Sequence, residues 1–239
     1  MHENHVAYRY LLLSMILSKF VISVFRDCTA ENIMLDPSKM YPKPFHPMVI
    51  RRTRDFRGKA KGHTRTRCRP RYFLIDLGLS WKYDPANGPP LEVPLRGGDK
   101  SAPEHQDRET PCNTFSTDIF YLGNLVREDY IQVRISIHFL MKAVLSRMFQ
   151  KYHGFEFMEP LIADMVQEDP MKRPNMDEVV KRFAKIKSRL HSWKLRSRMA
   201  RNNEIWPVTA WRTVSHWYRT IGYVITRKPA LPEPNRPSL

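Results

Sequence analysis

Apolar residues recur at three- and four-residue intervals through the second half of the chain, and this spacing places its helices. Ile119, Leu122, Leu125 and Val126 predict a helix over 118–128; Leu161, Ile162, Met165 and Val166 predict another over 157–166. The clearest pattern follows Pro174. There Met176, Val179, Val180, Phe183, Ile186 and Leu190 repeat at helical spacing behind Asn175, with Glu178 placed to complete a capping box. Earlier in the chain the pattern changes. Tyr10 to Phe25 is the most apolar stretch, and Arg71 to Asp76 is a short strand-like run that ends at Gly78, where the chain can turn sharply. Pro37 to Pro70 and Trp81 to Pro103 carry turn-forming residues and no apolar period, so both read as loops. Beyond His191 stand Trp193, Trp206, Trp211 and Trp217. This 191–239 tail is expected to pack locally through its aromatics and to fray at its Pro-rich end.

Composition adds limits rather than a fold. A chain of 239 residues can bury one good-sized core, and 42% hydrophobic with 27% charged residues excludes collagen-like, coiled-coil and wholly disordered readings. Cys28, Cys68 and Cys112 are an odd set without metal-ligand spacing, which argues against a disulfide framework and for a reducing, intracellular compartment, cytoplasmic or nuclear. The net charge of +16 is concentrated in Arg51 to Arg71, where ten Lys or Arg face one acid, and in Lys181 to Arg201. The first stretch is either a solvated loop or a docking surface for an acidic partner. Nucleic-acid binding is a secondary reading, because Phe56 is the one aromatic in its densest part. Tyr10 to Phe25 is interrupted by Lys19 and is shorter than the roughly 20 residues of a spanning helix, so no membrane partner is expected.

The candidate chemistry lies in five short motifs. In order they are Arg26-Asp27 followed by Asn32, Asp76-Leu77-Gly78, Ala102-Pro103-Glu104, Asp118 followed by Gly123, and Arg173 before Pro174. This succession resembles the C-terminal lobe of the eukaryotic protein kinases, and its wording is closest to fungal-type protein-kinase-like proteins. The resemblance implies a mainly α fold within the α+β class: a helical lobe over 27–190 with short strands around a catalytic loop. It implies ATP and Mg as cofactors and phosphoryl transfer to protein Ser or Thr. It makes Asp27 the residue that orients the acceptor hydroxyl, Asn32 and Asp76 the Mg and nucleotide ligands, Glu104 the partner of Arg173, and Asp118 the holder of the catalytic-loop backbone. Taken singly, each has a plainer reading: Asp76 as a turn residue, Asp118 as a helix cap, Glu104 and Arg173 as surface charges.

Departures from the pattern qualify the expectation. Phe25, Thr29 and Leu77 stand where the family has His, Lys and Phe. No Gly-rich phosphate loop and no phosphate-binding strand Lys precede Asp27, so an absent N-terminal lobe and an inactive 239-residue chain are expected, with a non-catalytic interaction role as the alternative. Residues 1–26 read as the approach to the loop plus an inserted apolar segment, since joining Arg9 to Asp27 gives a more family-like run. The ends of 10–26 and of 133–150 both permit GT and AG in their codons, so both segments are read as translated introns. The alternative is that Tyr10 to Val24 forms the helix and strand that lead into the loop.

Overall fold

The computed structural model describes residues 23–64, 67–68, 70–84, 88, 90–94, 100–107, 109–128, 154–198, 200 and 204–230. Most of the first segment read as inserted, 10–22, and all of the second, 133–150, lie outside the described residues.

The fold is α+β, with five α-helices and three small antiparallel ladders among the described residues. Strand β1 (Ser23–Val24) pairs with β4 (Trp81–Lys82), β2 (Ile33–Asp36) with β3 (Arg71–Leu74), and β5 (Leu91–Glu92) with β6 (Cys112–Asn113). The register Ile33 to Leu74 is extended by Ile75 N–H donating to Asn32 O at 2.9 Å. Ser23 to Arg26 therefore take part in the fold, whatever the origin of the segment that they end.

Helix α1 (Thr114–Val126) is the centre of the core. It is buried nearly all round, as suits a helix with neighbours on every side: Ile119, Phe120, Tyr121, Leu122 and Val126 are buried, and so are Thr114, Thr117, Asp118 and Asn124. It begins four residues before the spacing predicts, because the Asn113 side chain accepts from Phe115 N–H at 3.0 Å and caps the first turn. Helix α2 (Glu159–Met165) packs on it through Leu161, Ile162 and Met165, after a tight turn over Glu156–Met158. The approach is close at Gly123, where an added Cβ would lie 2.8 Å from both Met165 Cβ and Val166 Cγ1. Helix α3 (Met176–Arg189) adds Val179 and Phe183 to this core. Its Asn175 cap accepts from Glu178 N–H at 2.9 Å, while the Glu178 carboxylate pairs forward with Arg182 at 3.7 Å instead of back to the cap.

Two stretches gain detail. The 37–70 loop carries local order: bridges join Phe45 to Thr53 and Arg52 to Lys59, Met40 and Pro70 are buried, and the described Lys and Arg side chains face water. The tail, expected to pack locally and to fray at its Pro-rich end, is ordered over 206–225, and residues 231–239 lie outside the described residues. After the short α4 (Ser192–Arg196) it forms α5 (Trp206–Ile225), the longest described helix. No described helix is long and apolar enough to cross a membrane.

Candidate functional site

The loop from Phe25 to Asn32 is fixed at three levels. Below it, Phe25 packs against the core and Cys28 lies within it at 2% exposure. At its backbone, the Asp118 carboxylate accepts from Phe25 N–H at 2.6 Å and from Arg26 N–H at 2.8 Å. Asp118 is itself 2% exposed. Burial pushes its carboxyl up to about 7, against the two N–H bonds and the nearby Arg26 charge, which favour the ionised form. Above the loop, Asn32 Nδ2 donates to Asp27 Oδ2 at 2.9 Å and to Asp27 O at 3.0 Å. Asp27 is thereby held in one orientation, with Oδ1 unengaged by any of these bonds.

Asp76 reaches the same end of the fold by strand pairing. The Asn32 to Ile75 bond closes the β2–β3 ladder, and Asp76 is the next residue, exposed and in the left-handed region at φ 56°. Arg26 is also left-handed at φ 61°. Two non-glycine residues in this region, each costing about 1–3 kcal/mol, flank Asp27 and Asn32, and such strain persists where the surroundings overdetermine it. The donor set on this face is one half-buried carboxylate, one amide and one exposed carboxylate. Among the described residues no group of three or more His, Cys, Asp or Glu side chains could hold a metal ion. A cation here would need further oxygen ligands from water or from a bound phosphate, the coordination that Mg prefers.

Glu104 and Arg173 meet beside the first turn of α1. Arg173 Nη1 donates to Glu104 Oε1 at 2.6 Å and Nη2 to Oε2 at 2.9 Å, with the two side chains 0% and 7% exposed. The remaining guanidinium donors go to the carbonyls of Gln167, Ser116 and Glu168, and the group lies over the Phe120 ring at 4.8 Å. All five N–H donors are engaged. Burial tends to raise the Glu104 carboxyl, but the Arg173 bonds outweigh it and hold it below its ordinary value. The plainer reading of both as surface charges therefore does not hold.

Sequence reasoning missed a second clamp. The Arg26 guanidinium bonds to the Tyr83 hydroxyl and to the Glu92 carboxylate, and the Tyr83 hydroxyl also donates to Glu92. Tyr83 and Glu92 thus tie the 77–104 segment to the residue before Asp27. Burial, together with the Glu92 bond, pushes the Tyr83 hydroxyl up. Neither residue has a periodic or motif signal; Glu92 is one acid in a Pro- and Gly-rich stretch. The partly open space beside this clamp, about 30 Å³, has room for little more than a water. Thr117 was missed as well: its hydroxyl donates to Glu104 Oε1 at 3.0 Å.

No protein-family model matches the chain, and no curated protein matches it.

Proposed function

We propose that residues 25–32, with Asp76, form the catalytic loop and metal-binding turn of a phosphotransferase of the protein-kinase type. The observation that carries this reading is the double bond of buried Asp118 to the Phe25 and Arg26 N–H groups, directly before an Asp27 that is oriented by Asn32. A carboxylate held this rigidly beside two further oxygen donors suits a reaction in which the protein mainly orients groups and neutralises charge. Asp27 Oδ1 would accept the proton of a Ser or Thr hydroxyl as that oxygen bonds to phosphorus and the bond to the nucleoside diphosphate breaks. Asn32 Oδ1 and the Asp76 carboxylate would hold Mg; Mg-ATP, when bound, supplies the phosphoryl group and part of the neutralising charge. Arg26, Tyr83 and Glu92 keep the 77–104 segment against this loop, and Glu104 with Arg173 anchors its far end.

The interaction-only reading draws on Thr29, which stands where a Lys is expected, and on the lack of a Gly-rich phosphate loop before Asp27 in these 239 residues. One comparison separates the readings. The 239-residue polypeptide and the longest in-frame product of the same locus are assayed for Mg-ATP-dependent phosphorylation of casein. The catalytic reading expects no transfer from the former. It expects transfer from the latter that Asp27→Asn and Asp76→Ala each abolish. A longer product that has a phosphate loop and transfers phosphate regardless of either substitution would refute it. A locus that encodes no in-frame phosphate loop would leave the interaction role.

A further inference from the structure

Helix α5 is turned the wrong way for a helix packed on a core. Its most buried positions are His216 and Thr220, with Thr209, Thr213 and Tyr223 half-buried on the same side. This inward stripe is polar. Hydrogen bonds serve this side: Tyr223 and Thr64 share a hydroxyl hydrogen bond of 2.8 Å, and just past the helix Arg196 donates to Lys228 O. The outward stripe is apolar. Trp206, Trp211, Val214, Tyr218, Ile221 and Ile225 are exposed at 77%, 67%, 65%, 81%, 52% and 74%. At a 100° turn per residue they fall within an arc of about 140°, the geometry of an amphipathic helix. Trp193 of α4, itself exposed, lies 5.5 Å from the Trp217 ring and widens the ridge.

The six side chains leave on the order of 900 Å² of apolar surface in water, more than the roughly 300–600 Å² of the largest patch on a typical monomer. Some occupant covers it, and charge decides which. From Ile205 to Ala230 there is no Asp or Glu, while Arg212, Arg219, Arg227 and Lys228 are cationic. Glu204 is already engaged by Arg198 and Arg212. A second copy would set these cations against their own kind, on chains of net charge +16 each. An anionic surface would answer them. The Tyr223 to Thr64 bond seats the cationic 37–70 loop on the inward side of the same helix, opposite the ridge, so the cations nearest the outward face are Arg227 and Lys228 just past its C-terminal end. An apolar ridge with a neighbouring cationic cluster supplies the two signals that a stable peripheral association requires. Trp and Tyr, with apolar rings and a polar edge, are the side chains that settle at a lipid–water boundary.

We propose that α5 is an in-plane docking helix for an anionic lipid surface, its apolar ridge entering the boundary between headgroups and acyl chains while Arg227 and Lys228, just past its C-terminal end, meet the headgroups. A helix lying in the interface differs from a spanning one. The sequence expectation of no membrane partner rested on Tyr10 to Phe25 as a spanning or signal segment, and this proposal departs from it.

The test is co-sedimentation of the full 239-residue chain with vesicles of phosphatidylcholine alone or containing about 30% phosphatidylserine. Binding to the serine-containing vesicles is expected, with a blue shift of the tryptophan emission and weakening at high salt. Trp211→Glu with Ile221→Glu should lower partitioning roughly 100-fold, since each buried apolar side chain is worth about tenfold or more. Both positions face solvent, and unchanged circular dichroism checks that the fold survives. Arg227→Gln with Lys228→Gln should weaken binding to the anionic vesicles and leave the neutral ones unaffected. Absence of vesicle binding, or binding indifferent to the Trp211 and Ile221 changes, overturns the proposal. A dimer in sedimentation equilibrium that those changes dissolve assigns the ridge to a second copy. Capture of an acidic amphipathic peptide without vesicle binding assigns it to a protein partner, and either result also overturns the proposal.

Discussion

Replacing Arg173 by Met is the most demanding test of how the 77–104 segment is anchored. The change keeps an unbranched side chain but removes five donors and one charge from a site with no exposure. Glu104, 7% exposed along its side chain, is left with Thr117 as its one remaining side-chain donor. An uncompensated buried charge of this kind costs about 3–5 kcal/mol, a large part of a domain's stability. Glu104→Gln should cost a similar amount, because it leaves the guanidinium buried without its counter-charge and turns an amide N–H₂ toward it. In the double variant both charges are gone, so the cost falls well below the sum, with a coupling of about 2 kcal/mol or more. It does not fall to zero. The Ser116, Gln167 and Glu168 carbonyls lose their donor, and each costs about 1–3 kcal/mol wherever water cannot replace it. Urea unfolding at pH 7, followed by tryptophan fluorescence and by circular dichroism, measures all four corners of the cycle. A loss under about 1 kcal/mol for Arg173→Met, or additivity of the two single changes, would refute the reasoning.

Asp118 and Glu104 give opposite responses to pH. The Asp118 carboxyl, pushed up to about 7 from an ordinary 3.8, keeps its proton in the folded chain where the unfolded chain has lost it, so its contribution makes the fold less stable as pH rises between those values. Asp118→Asn removes that slope in thermal melts across this range, and it also loses one loop bond, because its amide turns N–H₂ toward a backbone N–H; a slope unchanged in the variant would contradict the assignment. Glu104, held below its ordinary 4.5, contributes stability that is complete above that value and is lost as pH falls through its folded-state pKa, so Glu104→Gln should flatten the acid limb of the same melts. Gly123→Ala gains about 1 kcal/mol of helix propensity, yet it should destabilise the fold by about 1–3 kcal/mol net because the new Cβ meets Met165 and Val166 at 2.8 Å; a stabilised variant in urea unfolding would show that α1 and α2 can separate at no cost. Asn175→Ala should cost about 1 kcal/mol in the same assay through loss of the α3 cap, and a change under about 0.3 kcal/mol would mean that the cap is replaced by water.

What the sequence makes legible follows from which signals are local. Helix α3 is readable because its stripe, its Asn175 cap, its acidic first turn and its basic last turn all lie within one short run. Asp118, Glu104 and Arg173 are readable as residues because they stand in a recognisable order, although nothing local says that Glu104 and Arg173 touch across the fold. Glu92 is not readable, since its meaning depends on a left-handed Arg26 that presents a guanidinium to it. Helix α5 is hidden for a different reason. Its Thr, Val, Trp and Tyr residues are only moderate helix formers, its Ile205 cap supplies no side-chain bond, and the usual inference from an apolar stripe to a core contact points to the wrong side.

Three consecutive residues of α1 carry most of the site's support. Ser116 O takes an Arg173 donor, the Thr117 hydroxyl binds Glu104, and the Asp118 carboxylate holds the N–H groups of Phe25 and Arg26. Segments far apart in sequence are thus indexed to one turn of one buried helix, and the orientation of Asp27 depends on where that turn stands. Its position is set a turn and a half further along, where Gly123 lets α1 approach Met165 and Val166 of the α2 region. A side chain at Gly123 would move α1 as a rigid rod, displacing the Asp118 hold and the Glu104 anchor together. The packing of two core helices and the geometry of the Asp27 loop are therefore one mechanical problem, and a core substitution well away from Asp27 should disturb the loop without touching any of its residues.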